Sequence, residues 1–405
     1  MNHKKNNDQL NTLTSIEQQR QQATANGYSL KDIFVEMELE LVASLKRNLK
    51  RHLNDEVKEG FAWEMWQKSS LRDIERFRKE NKAIIGTFSK NIQSTIDEVL
   101  TDTYDNQLSR KDDAGFSYPK TNKGLLLPGT HPPQEKHFFG VNDKKMKVLI
   151  NEMQSSFKKV QSAVYRKAED IYKRTIFNES IKLNAGTVTL PKAIDQAVDK
   201  FLEQGINCIQ YADKRMVNVA TYAEMALRTA SQRAKFLADG SKRAEQKVYT
   251  VVVSSHANTC EKCLPWQSKV LIDDVFSNIS KIEAEKLSRD TGYKLLSEAI
   301  AKGLLHPNCR HLIMTFYPGI SRLPKAVDEE LALKNYKAEQ KQRELENKIR
   351  KAKRKVQGYV DDYDIKQAKK DLRDLQKQLR EHLAENTQLR RNPSREKIYL
   401  KEVKQ

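Results

Sequence analysis

Apolar residues recur at Ile33, Met37, Leu41, Leu45 and Leu49, in steps of four, behind Ser29. A serine oxygen at that place accepts from the open amides of a first turn, so the pattern predicts a helix with one buried stripe. A second helix is predicted from about Leu71, with Ile74, Ile85, Phe88, Ile92 and Val99 on one face. Trp63 and Trp66 lie between the two and read as core packing. From 105 to 140 the periodicity stops. The stretch SYPKTNKGLLLPGTHPPQEKHFFG is punctuated by proline and glycine, which predicts a long loop. His131 and His137 are incidental to it.

Periodicity resumes behind Asn142 and Asp143, two candidate caps. Leu149, Met153, Phe157, Val160, Val164 and Ile171 then continue a helical stripe over many turns. In TVTLPKAIDQAVDKFLEQG, Thr189 precedes a first-turn Pro191, the apolar face is Ala193, Ile194, Ala197, Val198, Phe201 and Leu202, and Gly205 closes the helix. A further helix, VNVATYAEMALRTASQRAKFLADG, is predicted to end at Gly240. The character then changes. VYTVVVSS (248–255) is short and β-branched, which predicts a strand, with SKVLID (268–273) as its partner. The segment SKIEAEKLSRDTGYKLLSEAIAKG reads as one or two helices. Beyond Pro324, Leu345, Ile349, Ala352 and Val356 form one heptad-like seam, and Ile365, Ala368, Leu372, Leu375 and Leu379 form another. Gly358 interrupts, and Asp361 or Asp362 caps the restart. This predicts an antiparallel helical hairpin of coiled-coil character.

Composition sharpens the picture. The chain has 405 residues, of which 31% are charged and only 7% aromatic, and a net charge of +19. Few large side chains are available for a thick core, so long exposed helices are favoured. The excess positive charge favours a polyanionic neighbour. The basic run RKAKRK, with Arg350, Lys351, Lys353, Arg354 and Lys355, is the candidate contact to nucleic acid or a partner; a solvated helix face is the plainer reading. No apolar run is long enough to span a bilayer, and the first 27 residues are polar, predicted to be disordered, and carry no apolar signal core. Residence in cytoplasm with reduced thiols is the expectation.

Three of the four cysteines fall in two short stretches, HANTCEKCLPWQSKVL from His256 and LLHPNCRHL from Leu304. Together they read C-x2-C, then H-x2-C-x-H. Two cysteines separated by two residues turn back on one ion, and Zn²⁺ takes thiolate sulfur and imidazole nitrogen tetrahedrally. Cys260, Cys263, His306 and Cys309 make a complete set, with His311 as an alternative ligand and His256 as a weaker one. Pro265 and Pro307 fix the turns beside each half. A closed four-ligand site is structural, because no position is left for substrate. A redox CxxC or a metal-dependent nuclease centre are the competing readings, but no thioredoxin-like βαβ unit and no paired carboxylates accompany the cysteines. Cys208 reads as a small buried residue. Phosphate-binding glycine loops and a nucleophile elbow are both missing.

The order TLPKAIDQAVDKFLEQGI, TYAEMALRTA, VVSSHANTCEKCLPWQSKVL and LLHPNCRHLIMTFYPGIS resembles the phage minor capsid protein family. Around CxxC and HPNCRH it is also similar to the Mu-type minor head, or head morphogenesis, proteins. The basic tail resembles the same minor capsid proteins, and the resemblance covers about residues 140–400. It implies a non-catalytic, low-copy structural protein of a tailed phage, associated with the portal inside the head and assisting head assembly and DNA packaging or delivery. Portal and capsid proteins are the implied partners, with packaged double-stranded DNA; neither a membrane nor a small-molecule substrate is implied. The virion is the implied location, with host cytoplasm during assembly. Some relatives keep the H…PWQGK frame without the CxxC cysteines, which implies a stabilising metal. Ser268 stands where many relatives have glycine. The family's matched polar positions fall on Tyr222, Arg228 and Thr229, with Arg228 expected to pair within the fold. The alternatives are a metal-dependent nuclease or toxin-like effector carried in the head, or a zinc-containing nucleic-acid-binding protein.

These readings together predict a mainly α fold: an elongated helical body, a small zinc-stapled α+β module and a charged C-terminal helical hairpin. The expected divisions are a disordered 1–27, a helical region 28–104, a loop 105–140, a central helical region 141–244, the Cys/His module 245–324 and the basic hairpin and tail 325–405.

Overall fold

The computed structural model describes residues 30–52, 63–109, 141–184, 207–210, 216–325 and 327–398, together with Lys192, Asp195, Gln196 and Asp199. The fold is mainly helical with one small mixed sheet. The helices are α1 (30–52), α2 (Trp63–Ser109), α3 (Val141–Asn184), α4 (Val219–Glu245), α5 (Lys281–Thr291), α6 (Leu296–Ala301), α7 (Glu329–Gly358) and α8 (Asp362–Glu385). None of them is long and apolar enough to cross a membrane. The chain forms two compact units. One gathers the described residues of Thr95–Gln154 and Met225–Lys337; the other gathers those of Ser29–Ser94, Ser155–Glu224 and Ala338–Gln405.

In the second of these units the α1 stripe is the core. Met37, Leu41, Leu45 and Leu49 are fully buried, while Ile33 yields its place to Leu30 and Phe34. Phe34 meets Phe157 of α3 with ring centroids 5.5 Å apart, and Phe77 of α2 stacks on Tyr172 at 4.1 Å. Val160, Val164, Ala168 and Tyr172 fill the rest of the α3 face, so alanine bridges the gap and Tyr172 is buried in place of the half-buried Ile171. Buried polar groups interrupt these stripes. Asn48 donates to Ser44 O (2.9 Å) and Glu80 Oε2 (2.7 Å), and His52 Nδ1 lies 2.8 Å from Asp73 Oδ2. Burial pushes the Asp73 carboxyl up, but the His52 hydrogen bond and the nearby His52, Arg76 and Arg72 charges outweigh it and leave it below its usual range. A stripe search built on apolar spacing passes over such residues.

The same unit holds a two-stranded hairpin, β1 (Asn207–Gln210) with β2 (Met216–Asn218), which sequence periodicity did not announce. Asn218 Oδ1 then accepts from Ala220 N and Thr221 N and so caps α4. α7 from Ala338 and α8 form the expected helical hairpin. Leu345, Ile349 and Leu379 form its buried centre, against Leu372, Leu375 and Leu383. Asp361 caps α8 by accepting from Tyr363 N and Asp364 N. Asp195 in turn accepts from Val360 N and Asp361 N at 2.7–2.9 Å, which clamps the turn.

The other unit is built around a four-stranded sheet in the order β5-β4-β3-β6: β3 (Thr250–Val253), β4 (Val270–Ile272), β5 (Lys294–Leu295) and β6 (Ile313–Thr315). β3 pairs antiparallel with both β4 and β6, and β5 joins β4 in parallel. Strands this short bury little by themselves. The sheet is anchored to α4 instead. Arg243 donates from Nε (3.1 Å) and Nη2 (2.7 Å) to Asp273 Oδ2, just past β4; both side chains are almost wholly buried. Asp273 Oδ1 accepts from Phe276 N at 2.9 Å, and the Phe276 ring meets Phe236 of α4 at 5.2 Å.

Three expectations are corrected here. The helix predicted to end at Gly240 continues to Glu245. Gly240 is a close-approach glycine and not a cap, since a Cβ there would collide with the Phe276 carbonyl oxygen. Residues 105–109, expected in the loop, extend α2, with Tyr104 buried and Gln107 Nε2 donating to Asp239 Oδ1 at 2.9 Å. α3 begins at Val141, so Asn142 and Asp143 are in its first turn and do not precede it. Residues 1–27, Ser29, His131 and His137 lie outside the described residues, as do the apolar face of 193–202, with Thr189, Pro191 and Gly205, and the side chains of Trp63, Trp66 and Cys208.

Two outcomes follow for stability. Asp273→Ala, which leaves Arg243 buried and unpaired, is expected to cost about 3–5 kcal/mol in denaturant unfolding, and the Arg243→Met/Asp273→Leu double variant less than that. Ser268 sits at φ 58°, behind Gln267 at φ −58° and ψ 138°, and Lys269 N donates back to Trp266 O at 3.2 Å. That is a type II turn, whose third residue favours glycine. The Ser268 Oγ is also buried without a hydrogen-bond partner. Ser268→Gly is expected to stabilise by about 0.5–1 kcal/mol in the same assay.

Candidate metal centre

The two cysteine-bearing stretches meet at one end of the sheet. After β3, Ser254 N donates to Leu312 O (2.8 Å) and Leu312 N to Ser254 Oγ (2.9 Å), which holds the two stretches side by side. The CxxC segment closes as a turn, with Cys263 N and Leu264 N both donating to Cys260 O at 3.1 and 3.0 Å. Pro265 follows in the short 3₁₀ turn Leu264–Trp266, where its missing N–H costs nothing. On the other side Cys309 N donates to His306 O at 2.8 Å, around Pro307. Leu305 and Asn308 take positive φ, of 55° and 65°. Asparagine tolerates that region well.

These turns bring five donors together. Cys260 Sγ is 3.1 Å from His306 Nε2, Cys263 Sγ is 3.6 Å from Cys309 Sγ, and Cys309 Sγ is 3.4 Å from His311 Nδ1. Their ligand atoms form two groups, Cys260–Cys263–His306 and Cys263–Cys309–His311, each within 4.8 Å and sharing Cys263. Cys263, Cys309 and His311 are buried; Cys260 and His306 are half-buried. Neither group contains a carboxylate. The donor set is soft sulfur with imidazole, which suits a thiophilic divalent ion.

The imidazoles are oriented from behind. His306 Nδ1 lies 2.8 Å from Pro307 O; a carbonyl only accepts, so Nδ1 carries the proton and Nε2 presents its lone pair to the cluster. His311 Nε2 lies 3.3 Å from Gln267 Oε1, which leaves Nδ1 as its ligating atom. The charges also ask for a cation. The Cys309 thiol is held down by the hydrogen bond from Cys263, against the opposing effect of burial and with the help of His311. Cys263 is pushed up, first by its hydrogen bond to Cys309 and then by burial. Two buried sulfurs 3.6 Å apart repel when both are ionised, and a bound cation would offset that repulsion.

Around this cluster the structure assigns places that the sequence left open. His256 joins neither group; its Nε2 lies 2.9 Å from Ser254 Oγ and 3.1 Å from Arg310 O, and its ring backs onto His311 at 4.8 Å. Gln267, for which the sequence carries no signal of a role, is the hub: its Oε1 accepts from His256 N, Thr259 Oγ1 and His311 Nε2. Gln232 of α4 donates to His311 O at 2.6 Å, and Asn335 of α7 donates to Ala257 O at 2.8 Å. Periodicity has no signal for such polar anchors. Arg228 Nη1 lies 3.4 Å from Asn308 Oδ1, so it does pair within the fold, at the HPNC turn. Thr229 Oγ1 donates to Met225 O within its helix, and the Tyr222 ring lies 5.8 Å from that of Phe157.

The basic run lies in the other unit, on α7. Arg350 donates to Arg395 O and Asn347 Oδ1, and Lys353 to Glu396 O at 2.7 Å. Arg354 is buried 3.7 Å from Glu38, and Lys355 pairs with Asp199 at 3.1 Å. Lys351 is half-buried. The first four of these cations are engaged by their own chain.

The family model of phage minor capsid protein 2 matches residues 19–384, which includes the sheet, the five-donor cluster and the helical hairpin. No curated protein and no solved structure matches the chain. The extent of that match decides the identity: the chain belongs to the phage minor capsid protein 2 family and is a structural protein of the phage head.

Proposed function

We propose that this is a low-copy, non-catalytic head protein, associated with the portal inside the capsid, that assists head assembly and DNA packaging or delivery. Portal and capsid proteins are its partners, and packaged duplex DNA its polyanionic neighbour. It reaches the head from the host cytoplasm during assembly. The observation that carries the reading is the family match over residues 19–384, together with a cluster that offers sulfur and imidazole donors and no carboxylate base.

In this reading the cluster holds one structural Zn²⁺ through Cys260, Cys263, Cys309 and His306, with His311 as the alternative fourth ligand. Four protein ligands close the coordination sphere, so the ion joins the 254–269 and 304–312 segments and does no chemistry on a substrate. His306 and His311 are held by different hydrogen-bond acceptors, which makes their single substitutions informative. His306→Ala is expected to lower metal affinity on the order of tenfold or more while His311→Ala has the smaller effect.

Two measurements test the proposal. Metal analysis of the purified chain should return one zinc per chain, and Cys263→Ser or a strong chelator should lower the melting temperature, with a loss of about 3 kcal/mol or more. An unchanged melting temperature after complete metal removal would sink the staple. Quantitative mass spectrometry of gradient-purified particles should find a few to a few dozen copies per portal. A chain abundant in the lysate but missing from particles would overturn the head-protein reading and bring an assembly factor or a metal-dependent nuclease forward.

A further inference from the structure

α8 is three-sided. Ile365, Ala368, Leu372, Leu375 and Leu379 face the hairpin seam. Lys366, Lys369, Lys370, Arg373, Lys377 and Arg380 are all exposed. At about 100° per residue these six cations fall within an arc of roughly 100°. From Lys366 onward the acids Asp371, Asp374, Glu381 and Glu385 occupy the remaining flank, between the cations and the seam, while Asp362, one turn earlier, heads the cation arc.

This segregation is not the ordinary pattern of a solvated helix. α7 shows that pattern: Glu344 pairs with Lys341 (3.1 Å) and Lys348 (2.7 Å), and Glu339 with Arg343 (3.0 Å). There the signs alternate at three- and four-residue spacing, as intrahelical pairing favours. On α8 the same spacings bring like charges together at Lys366 and Lys370, Lys369 and Arg373, and Arg373 and Lys377, which destabilises the helix. Among the described residues, the ion pair on this face is Lys377–Glu381 at 3.8 Å, with both side chains well exposed. A pair that long and that wet contributes little. On the α7 run, by contrast, Arg350, Lys353, Arg354 and Lys355 are engaged internally.

We propose that this face of α8 is a binding surface for the phosphate backbone of double-stranded DNA. From Lys366 to Arg380 it presents a straight line of positive charge about 21 Å long. Duplex DNA offers one negative charge per about 1.7 Å of axis, enough to meet every cation. An acidic protein is the other polyanion to weigh. Specific protein interfaces are organised around aromatic or apolar anchors at their centre, and between Lys366 and Arg380 this face has none. Cations without apolar anchors give sequence-independent contact, which suits a DNA that is packaged and not read. The inference rests on the head-protein reading only for which polyanion the chain meets.

The test uses the full-length chain and a labelled 30-base-pair duplex of mixed sequence, with binding followed by anisotropy between 50 and 200 mM salt. Six phosphate contacts give a slope of log affinity against log salt of about −5, a loss of roughly a thousandfold over that range. The Lys366→Gln/Lys370→Gln/Arg373→Gln/Lys377→Gln variant should flatten the slope by about 4 units, roughly 0.9 per contact. Glutamine is a good helix former, so the helical circular dichroism should be retained. Asp371→Asn/Glu381→Gln, on the other flank, should leave the slope as it is or steepen it slightly. A variant slope equal to that of the unmodified chain would overturn the proposal, as would an unmodified chain that does not bind the duplex. So would a variant that keeps duplex binding but loses association with purified portal or major capsid protein, since the face would then meet acidic protein. None of these results alters the copy number in particles, so the two readings fail separately.

Discussion

The sheet-bearing unit depends on one buried ion pair. Arg243 near the end of α4 and Asp273 just past β4 bury opposite charges together, and the same carboxylate accepts from the backbone of the chain that turns over α4 at Phe276. A sheet whose strands run two to four residues has little apolar area to offer. It needs fixed points. The ion pair supplies one, and Gly240 supplies the second by allowing backbone to lie directly on backbone. A buried pair adds little net stability compared with apolar residues of the same size, but it admits a single arrangement, because any slip strands a charge without a partner. It therefore sets the register of helix against sheet.

The Cys/His cluster lies at the opposite end of the same sheet. β3 and β6 are joined there by Ser254 and Leu312, and the loops beyond them carry the five donors. Sulfur atoms as close as Cys263 and Cys309 repel once both are ionised, a repulsion that a bound cation would offset. The residues behind the ligands give the cluster direction. Gln267 and the Pro307 carbonyl orient the two imidazoles, and Gln232 ties the His311 backbone to α4. Ser268 beside Gln267 shows what the arrangement tolerates: a residue with a Cβ in a turn that favours glycine.

In the helical unit, charge is handled in two ways. On α7, Arg350, Lys353, Arg354 and Lys355 close onto Glu38, Asp199 and the backbone of 395–396. On α8 the cations are gathered on one face and left to solvent. Both stretches look alike as strings of lysine and arginine. What separates them is whether the neighbouring chain brings an acceptor to the helix face.

Local patterns were legible in the sequence wherever a single element carries its own signal. The 3.6 spacing of Met37, Leu41, Leu45 and Leu49, the β-branched run at 250–253, the seams of α7 and α8, and the CxxC and HPNC motifs taken singly each rest on covalent spacing within a few turns. So does the family, because its motifs are contiguous strings. The tertiary structure alone decided the rest. Gly240 read as a stop because a lone glycine has the same letter at a cap and under a crossing chain. Arg243 and Asp273, or His52 and Asp73, are ordinary charged residues until residues far away in the chain bury them together. Gln267 became the hub of the cluster, and Arg350, Lys353, Arg354 and Lys355 found partners in their own chain, for the same reason. A polar side chain has no period of its own; its role depends on which partner the fold delivers within about 3 Å.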